Sequence, residues 1–241
     1  MPDAALVDRH SAGTYLRRVD LDEDRIRCAR VDWTHDCLGI RVADWSPPNA
    51  GEARLLDNPH LERLTRIHPA APAALFLPII VAVLWRLAFP PPPHGGMLGA
   101  VLAGLVLWTL IEYVIHRGVF HLRPRRRIGR ALAYLVHGVH HAYPTDRGRL
   151  VMPPVVTVPL AVPFYLLFVV ALGQPLGEGL YAGFLAGYAT YDTIHYVLHT
   201  RPVRTRWLTA LQQNHMRHHF DRHDRRFGVS TTFWDHVFRT R

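Results

Sequence analysis

The sequence predicts an all-α integral membrane protein whose four transmembrane helices form two hairpins. Three observations carry that expectation: four long apolar runs, short turn-rich connectors within each pair, and arginines concentrated outside the pairs. The hydrocarbon core of a bilayer is about 30 Å thick and takes roughly 20 residues of helix to cross. Pro69–Phe89, Met97–Ile115, Val151–Leu172 and Leu176–Leu198 meet or approach that length.

Each element has its own signature. The first run, PAAPAALFLPIIVAVLWRLAF, is joined to the second, MLGAVLAGLVLWTLIEYVI, by the proline-rich FPPPPHGG. The third carries Pro153, Pro154, Pro159 and Pro163, so kinks or an interfacial start are expected there. GQPLGEG leads into the fourth run, which is more aromatic and less apolar. A mean hydropathy of +0.02 reflects dilution by the polar segments.

Charge orients the chain. All 28 basic residues are arginine; ten precede residue 68, six lie within 117–130, three lie within 201–206, and neither hairpin loop has any. The positive-inside rule then puts the N-terminus, the central segment and the C-terminus on the cytoplasmic side. An even number of crossings requires the same. The chain divides into an N-terminal cytosolic segment, 1–68, and a membrane domain, 69–241. A net charge of +9 could suit nucleic acid, but the arginines flank apolar runs and build no basic face interleaved with aromatic residues. No nucleic-acid partner is expected. Cys28 and Cys37 read as free thiols, and MPDAALVDRH lacks the apolar core of a cleaved signal.

The chemistry is carried by histidine. Twelve of 17 histidines fall at or after His116, and ten of these form four clusters. His116 and His121 are spaced H-x4-H; His137, His140 and His141 are H-x2-H-H; His195 and His199 are H-x3-H; His215, His218 and His219 repeat H-x2-H-H. Two clusters end membrane helices on the cytoplasmic side, and the two triplets follow just beyond, so all four can converge. Helical geometry turns i, i+3 and i+4 to one face. Neutral imidazole ligates Fe, Zn, Cu and Ni. Ten ligands exceed what one ion takes and suit two ions, each triplet dividing its side chains between them.

His10, His35, His60, His68 and His94 read as ordinary polar caps; His223, four residues after His219, is a candidate partner behind the ligands, but it and His236 read more readily as surface residues. Metal-bound imidazoles are oriented through their second nitrogen. Glu112, four residues before His116, Asp192, three before His195, and Asp235 in FWDHVF are candidates for that role. Asn214 is a candidate to hold a metal-bound water. Trp108, Tyr113, Tyr188, Tyr191 and Tyr196 are candidate channel walls.

WTLIEYVIHRGVFH, YLVHGVHHAYPTDRGRLVMPP, YDTIHYVLHT and NHMRHHF…FGVSTTFWDHVF resemble, in order, the fatty acid hydroxylase superfamily of membrane proteins with histidine boxes, and within it the fatty acid 2-hydroxylases. The resemblance runs from about residue 55 to 238. It implies a cytosolic helical cap over the four spans, holding a dinuclear site ligated by the ten histidines. It further implies two iron ions, with zinc able to occupy such a site in an isolated protein, and O2-dependent hydroxylation at C2 of a long acyl chain. Eukaryotic members carry a haem-binding cytochrome b5-like domain; residues 1–68 lack its His-Pro-Gly-Gly, so an external donor of cytochrome b5, ferredoxin or reductase type is expected. Other readings of the same residues are hydroxylation or desaturation of a sterol, carotenoid or other lipid, and, in a different class, metal transport.

Overall fold

The computed structural model describes residues 52–89 and 96–241. Cys28, Cys37, His10, His35, His94 and most of the segment 1–68 lie outside the described residues, as does the middle of the FPPPPHGG turn. Among the described residues every regular element is helical.

After a short α1 (Pro59–Leu64), capped by the Asn58 side chain, come α2 (Ala71–Ala88) and α3 (Met97–Ile115). The α4 helix (Arg127–Ala133) and α5 (Val139–Ala142) are short, α6 (Pro154–Leu172) and α7 (Leu176–Thr200) are long, and α8 (Arg206–Phe220) and α9 (Phe233–Val237) close the chain. Two π-helical turns interrupt the series, at His116–Phe120 after α3 and at Tyr134–Gly138 between α4 and α5.

Three stretches are long and apolar enough to cross a bilayer: α2, α3 with its π turn, and the segment ending in α6. Their outward surfaces are apolar, with Leu77, Val81, Leu102, Val106, Leu166 and Val170 all exposed. The α6 helix starts at Pro154 and continues through Pro159 and Pro163. The fourth run forms the longest helix, α7, yet is too polar to join that set of three. Its position explains why: α7 is the hub against which α2, α3 and α6 all pack, while α2 and α3, adjacent in sequence, barely touch. Surrounded by other helices, α7 has no need of an apolar exterior.

Two glycines allow the closest of these contacts. A Cβ on Gly104 of α3 would stand 2.0 Å from the Leu180 carbonyl oxygen, and one on Gly183 of α7 would stand 1.9 Å from that of Val101. Small residues that bring helix backbones together are a principal source of helix association in lipid, where burial of apolar surface supplies little. Aromatic residues fill the space beside them. Trp108 meets Phe184 and Tyr188 edge-on, at centroid distances of 5.1 and 5.2 Å.

Residues 53–67 strap across the loop that leads to α6. The buried carboxylate of Asp146 accepts the Ala53 N–H at 2.9 Å and pairs with Arg66 at 2.8 Å. The Arg149 guanidinium donates to Glu62 and to the carbonyls of Ala53 and Thr65. The next residue, Leu150, supplies a carbonyl to the site described below.

Candidate metal centre

The four histidine clusters come together as two compact sets. His116, His121, His137, His141 and His218 form one; His140, His195, His199, His215 and His219 form the other, and within each set the ligand nitrogens lie within 4.8 Å of one another. His215 and His218 are fully buried.

Helical periodicity decides the division. Within each triplet the i, i+4 pair stays in one set (His137 with His141, His215 with His219), while the i+3 residue (His140, His218) turns to the other. His195 and His199, also four apart, share a set. His116 and His121 are five apart, a spacing that an α-helix would splay by more than a right angle. The π turn corrects it: His121 N–H donates to the His116 carbonyl at 3.3 Å, which stacks i over i+5. The triplets do point their imidazoles to a common region, but the common face serves two centres.

The donor chemistry fits cations. His116, His195 and His218 each place Nδ1 on a backbone carbonyl, of Phe227 at 2.6 Å, Leu150 at 2.8 Å and Arg225 at 2.6 Å. A carbonyl only accepts, so the ring proton is on Nδ1 and, in a neutral ring, Nε2 offers a lone pair. Those Nε2 atoms face other Nε2 atoms: His116 to His137 at 3.1 Å, His218 to His121 at 3.0 Å, His195 to His140 at 3.0 Å. His137–His141, His140–His219, His215–His219 and His199–His215 extend the same contacts at 2.8–3.1 Å. Extra protons cannot bridge them all. Burial, and then the neighbouring imidazoles, hold His121, His137, His140, His141, His215 and His219 well below the usual histidine range. The same causes lower His218, against the opposing effect of the Arg225 carbonyl. Five neutral imidazoles turned inward suit one divalent transition-metal ion per set, and iron and zinc both accept such ligands.

The four polar candidates are buried beside the site but touch no imidazole among their recorded bonds. Glu112 accepts the N–H groups of Val229 (2.7 Å) and Ser230 (2.9 Å), and the Ser230 hydroxyl. Asp235 accepts the N–H groups of Phe227 and Gly228, the Thr240 hydroxyl and the Asn214 amide. Asn214 also donates to the Gly228 carbonyl. All three grip the loop 227–230, whose Phe227 carbonyl orients His116. Asp192 repeats the arrangement, accepting the Met152 N–H two residues beyond the Leu150 carbonyl that orients His195, together with the Tyr188 hydroxyl. The expectation of direct carboxylate–imidazole bonds is therefore corrected: backbone carbonyls orient the rings, and the acids hold the backbone. Asn214 is committed to that loop and not to a water site. Backbone carbonyls leave no mark in a sequence, which is why these partners were not anticipated.

His223, expected at the surface, is half-buried with its ring 5.3 Å from that of His141. An apolar cleft between α2, α3, α6 and α7 runs up to the site, lined by Phe76, Trp108, Phe120, Ala161, Tyr188 and Tyr191 among others. Phe120 stacks on His137 of the first set at 4.9 Å, and Tyr191 on His195 of the second at 5.8 Å, so one cleft reaches both. Of the aromatic residues named from sequence, Trp108, Tyr188 and Tyr191 line it. Tyr113 instead stacks on Phe238, and Tyr196 lies outside the lining.

The sequence pattern of the fatty acid hydroxylase family matches residues 101–240. The chain is 36% identical over 170 residues to the dihydroceramide fatty acyl 2-hydroxylase FAH1 of Arabidopsis thaliana, covering 69% of this chain and 70% of that protein. It is 30% identical over 245 residues to the fatty acid 2-hydroxylase of Rattus norvegicus, covering 92% of this chain and 66% of that one. Among solved structures, full-length scs7p, with only its hydroxylase domain visible, matches with a TM-score of 0.74 at 36% identity, covering 79% of this chain and 72% of that chain.

Proposed function

Because the chain belongs to the fatty acid hydroxylase family, we propose that this membrane hydroxylase inserts one atom of O2 at C2 of a long acyl chain, free or within a sphingolipid. The supporting observation is an apolar cleft whose lining rings Phe120 and Tyr191 stack on one histidine of each set. The relatives named as acyl 2-hydroxylases support C2 as the position of attack.

The balanced reaction is R–H + O2 + 2 e⁻ + 2 H⁺ → R–OH + H2O. The ten histidines would hold two iron ions, five to each, and the ions would supply the O2-activating redox chemistry that side chains lack. The residues of the chain do the rest. Phe227, Arg225 and Leu150 carbonyls hold His116, His218 and His195 in the Nδ1–H tautomer, leaving Nε2 for a cation. Glu112 and Asp235 hold the loop that carries the Phe227 carbonyl, and Asp192 holds Met152, two residues beyond the Leu150 carbonyl. The cleft would admit the acyl tail between membrane helices, excluding water while C2 comes to rest at the imidazole end.

In this reading α7 is the fourth span, the four spans follow one another as two up-and-down hairpins that meet through α7, and the segments α4–α5 and α8–α9 form a cytosolic cap. Both termini and the metal centre would face the cytoplasm, with 1–68 a cytosolic segment and 69–241 the catalytic membrane domain. An external one-electron donor of cytochrome b5, ferredoxin or reductase type would deliver the two electrons.

The test is mass spectrometry of total fatty acids from cells expressing the chain with a competent reductase. Accumulation of 2-hydroxy acyl chains supports the proposal, and a hydroxylated sterol or carotenoid in their place would sink it.

A further inference from the structure

The α9 segment makes an amphipathic feature that the hydroxylation chemistry does not use. Trp234 Nε1 donates to Thr109 Oγ1 at 3.0 Å, Phe238 stacks on Tyr113 at 5.1 Å, and the Tyr113 hydroxyl is 2.8 Å from that of Thr240. These contacts hold α9 against the last two turns of α3. Thr109 precedes the end of α3 by six residues, about 9 Å of helix. An interfacial helix buries its apolar face about 5–10 Å into the headgroup and acyl boundary.

The faces of α9 agree with such a depth. Asp235 points inward with no exposure, while Phe233, Val237 and Phe238 remain 58%, 50% and 43% exposed. Beside a helix long and apolar enough to cross a bilayer, that apolar stripe is placed to face lipid.

Next to the stripe lies a concavity of about 420 Å³ bordered by Arg225, Arg239, Arg241, His236 and Asp235. The Asp235 carboxylate is already filled by Phe227, Gly228, Asn214 and Thr240. Among the described residues, no Asp or Glu side chain forms an ion pair with Arg225, Arg239 or Arg241. Arg225 donates to the main-chain oxygen of Arg241 at 3.1 Å. Arg239 holds a left-handed φ of 55°, unusual for a side-chain-bearing residue, as the tail turns back to bring Thr240 onto Asp235. The arginines are thus gathered without an acidic side chain paired to them.

We propose that this concavity binds the phosphate headgroup of an anionic phospholipid whose acyl chains lie along Phe233 and Val237. The apolar stripe bordering the arginines favours a lipid over an acidic protein, which would leave that stripe uncovered. The proposal rests on α3 spanning the bilayer and not on hydroxylation, so lipid retention is informative whether or not turnover is detected.

The full chain would be equilibrated with mixed phosphatidylcholine and phosphatidylglycerol, and the lipid it retains counted by native mass spectrometry. Preferential retention of phosphatidylglycerol is expected. Each arginine near an anionic surface is worth roughly fivefold, so the Arg239→Gln/Arg241→Gln double variant should lose about twenty-five-fold of that preference. A control, Arg125→Gln/Arg126→Gln, changes exposed arginines elsewhere and should retain it. Equal retention of the two lipids by the unaltered chain, an unchanged preference in the first variant, or equal loss in the control would each overturn the proposal. So would two other results: tight binding of inorganic phosphate alone, or intact lipid preference with weakened binding of an acidic electron carrier.

Discussion

Glu112 and Val229, 117 positions apart, are joined by a 2.7 Å hydrogen bond from the Val229 N–H to the Glu112 carboxylate. The bond ties the end of a membrane helix to the loop whose Phe227 carbonyl orients His116. Removing a buried acceptor leaves its donors unsatisfied, and loss of such supporting partners typically costs 10–100-fold in metal affinity. Glu112→Ala should weaken metal retention by about that factor. Metal content after dialysis against graded chelator checks this; an unchanged profile would reduce Glu112 to a packing residue.

His218 and His219 are neighbours in sequence but belong to different sets. Alanine at either position should therefore empty a different site, each lowering the metal-to-protein ratio from about two to about one. The double variant should fall toward zero. Elemental analysis of the three proteins decides it, and two single variants that each lose all metal would show one cooperative site.

The metal-free protein should be acid-sensitive. Burial holds His137, His140, His141, His215, His218 and His219 below their ordinary 6.5 when folded. Below that pH the unfolded chain takes up protons that the folded chain refuses. Stability is present above about pH 6.5 and is lost as pH falls through it, by up to about 1.4 kcal/mol per pH unit for each histidine. Thermal unfolding in chelator between pH 8 and pH 5 should show this decline, and added metal should oppose it.

Gly99 and Gly104 lie five residues apart on α3 and differ sharply. A Cβ at Gly99 meets nothing within 4 Å, whereas one at Gly104 collides with the Leu180 carbonyl. Gly99→Ala should be neutral, and Gly104→Ala should cost about 1–3 kcal/mol or more through forced separation of α3 from α7. Detergent-solubilised melting temperatures and gel-filtration profiles would measure the contrast.

The cleft should set chain length. Ala161→Trp narrows it without touching an imidazole, so long acyl substrates should lose KM first, with metal content unchanged. Equal effects on short and long chains would mean that the tail lies elsewhere.

Much of this arrangement was legible beforehand because strong, local signals carried it. The run Met97–Ile115 became a helix with the same ends, and the four histidine clusters met as their spacing implied. Global packing was harder to read. Nothing in the order of the runs indicated that α7 would be the hub, or that α2 and α3 would scarcely meet. Glu112 and Asp192 stood at helical offsets that suggested imidazole partners, yet helix sterics aim their carboxylates at backbone supplied from distant loops. The spacing of His223 from His219 left it between a surface residue and a neighbour of the ligands, and the fold set it beside His141.

Gly118 sits within the π turn between His116 and His121, and a Cβ there would meet nothing within 4 Å. The position has room for a side chain, so Gly118→Ala should pass unnoticed. Its deletion should not: with one residue fewer, the turn relaxes to α-helical geometry and His121 arrives a step early, pulling the following segment out of phase with the other clusters. The centre is specified by counting as well as by chemistry, and here a position can be indifferent in identity yet indispensable in number.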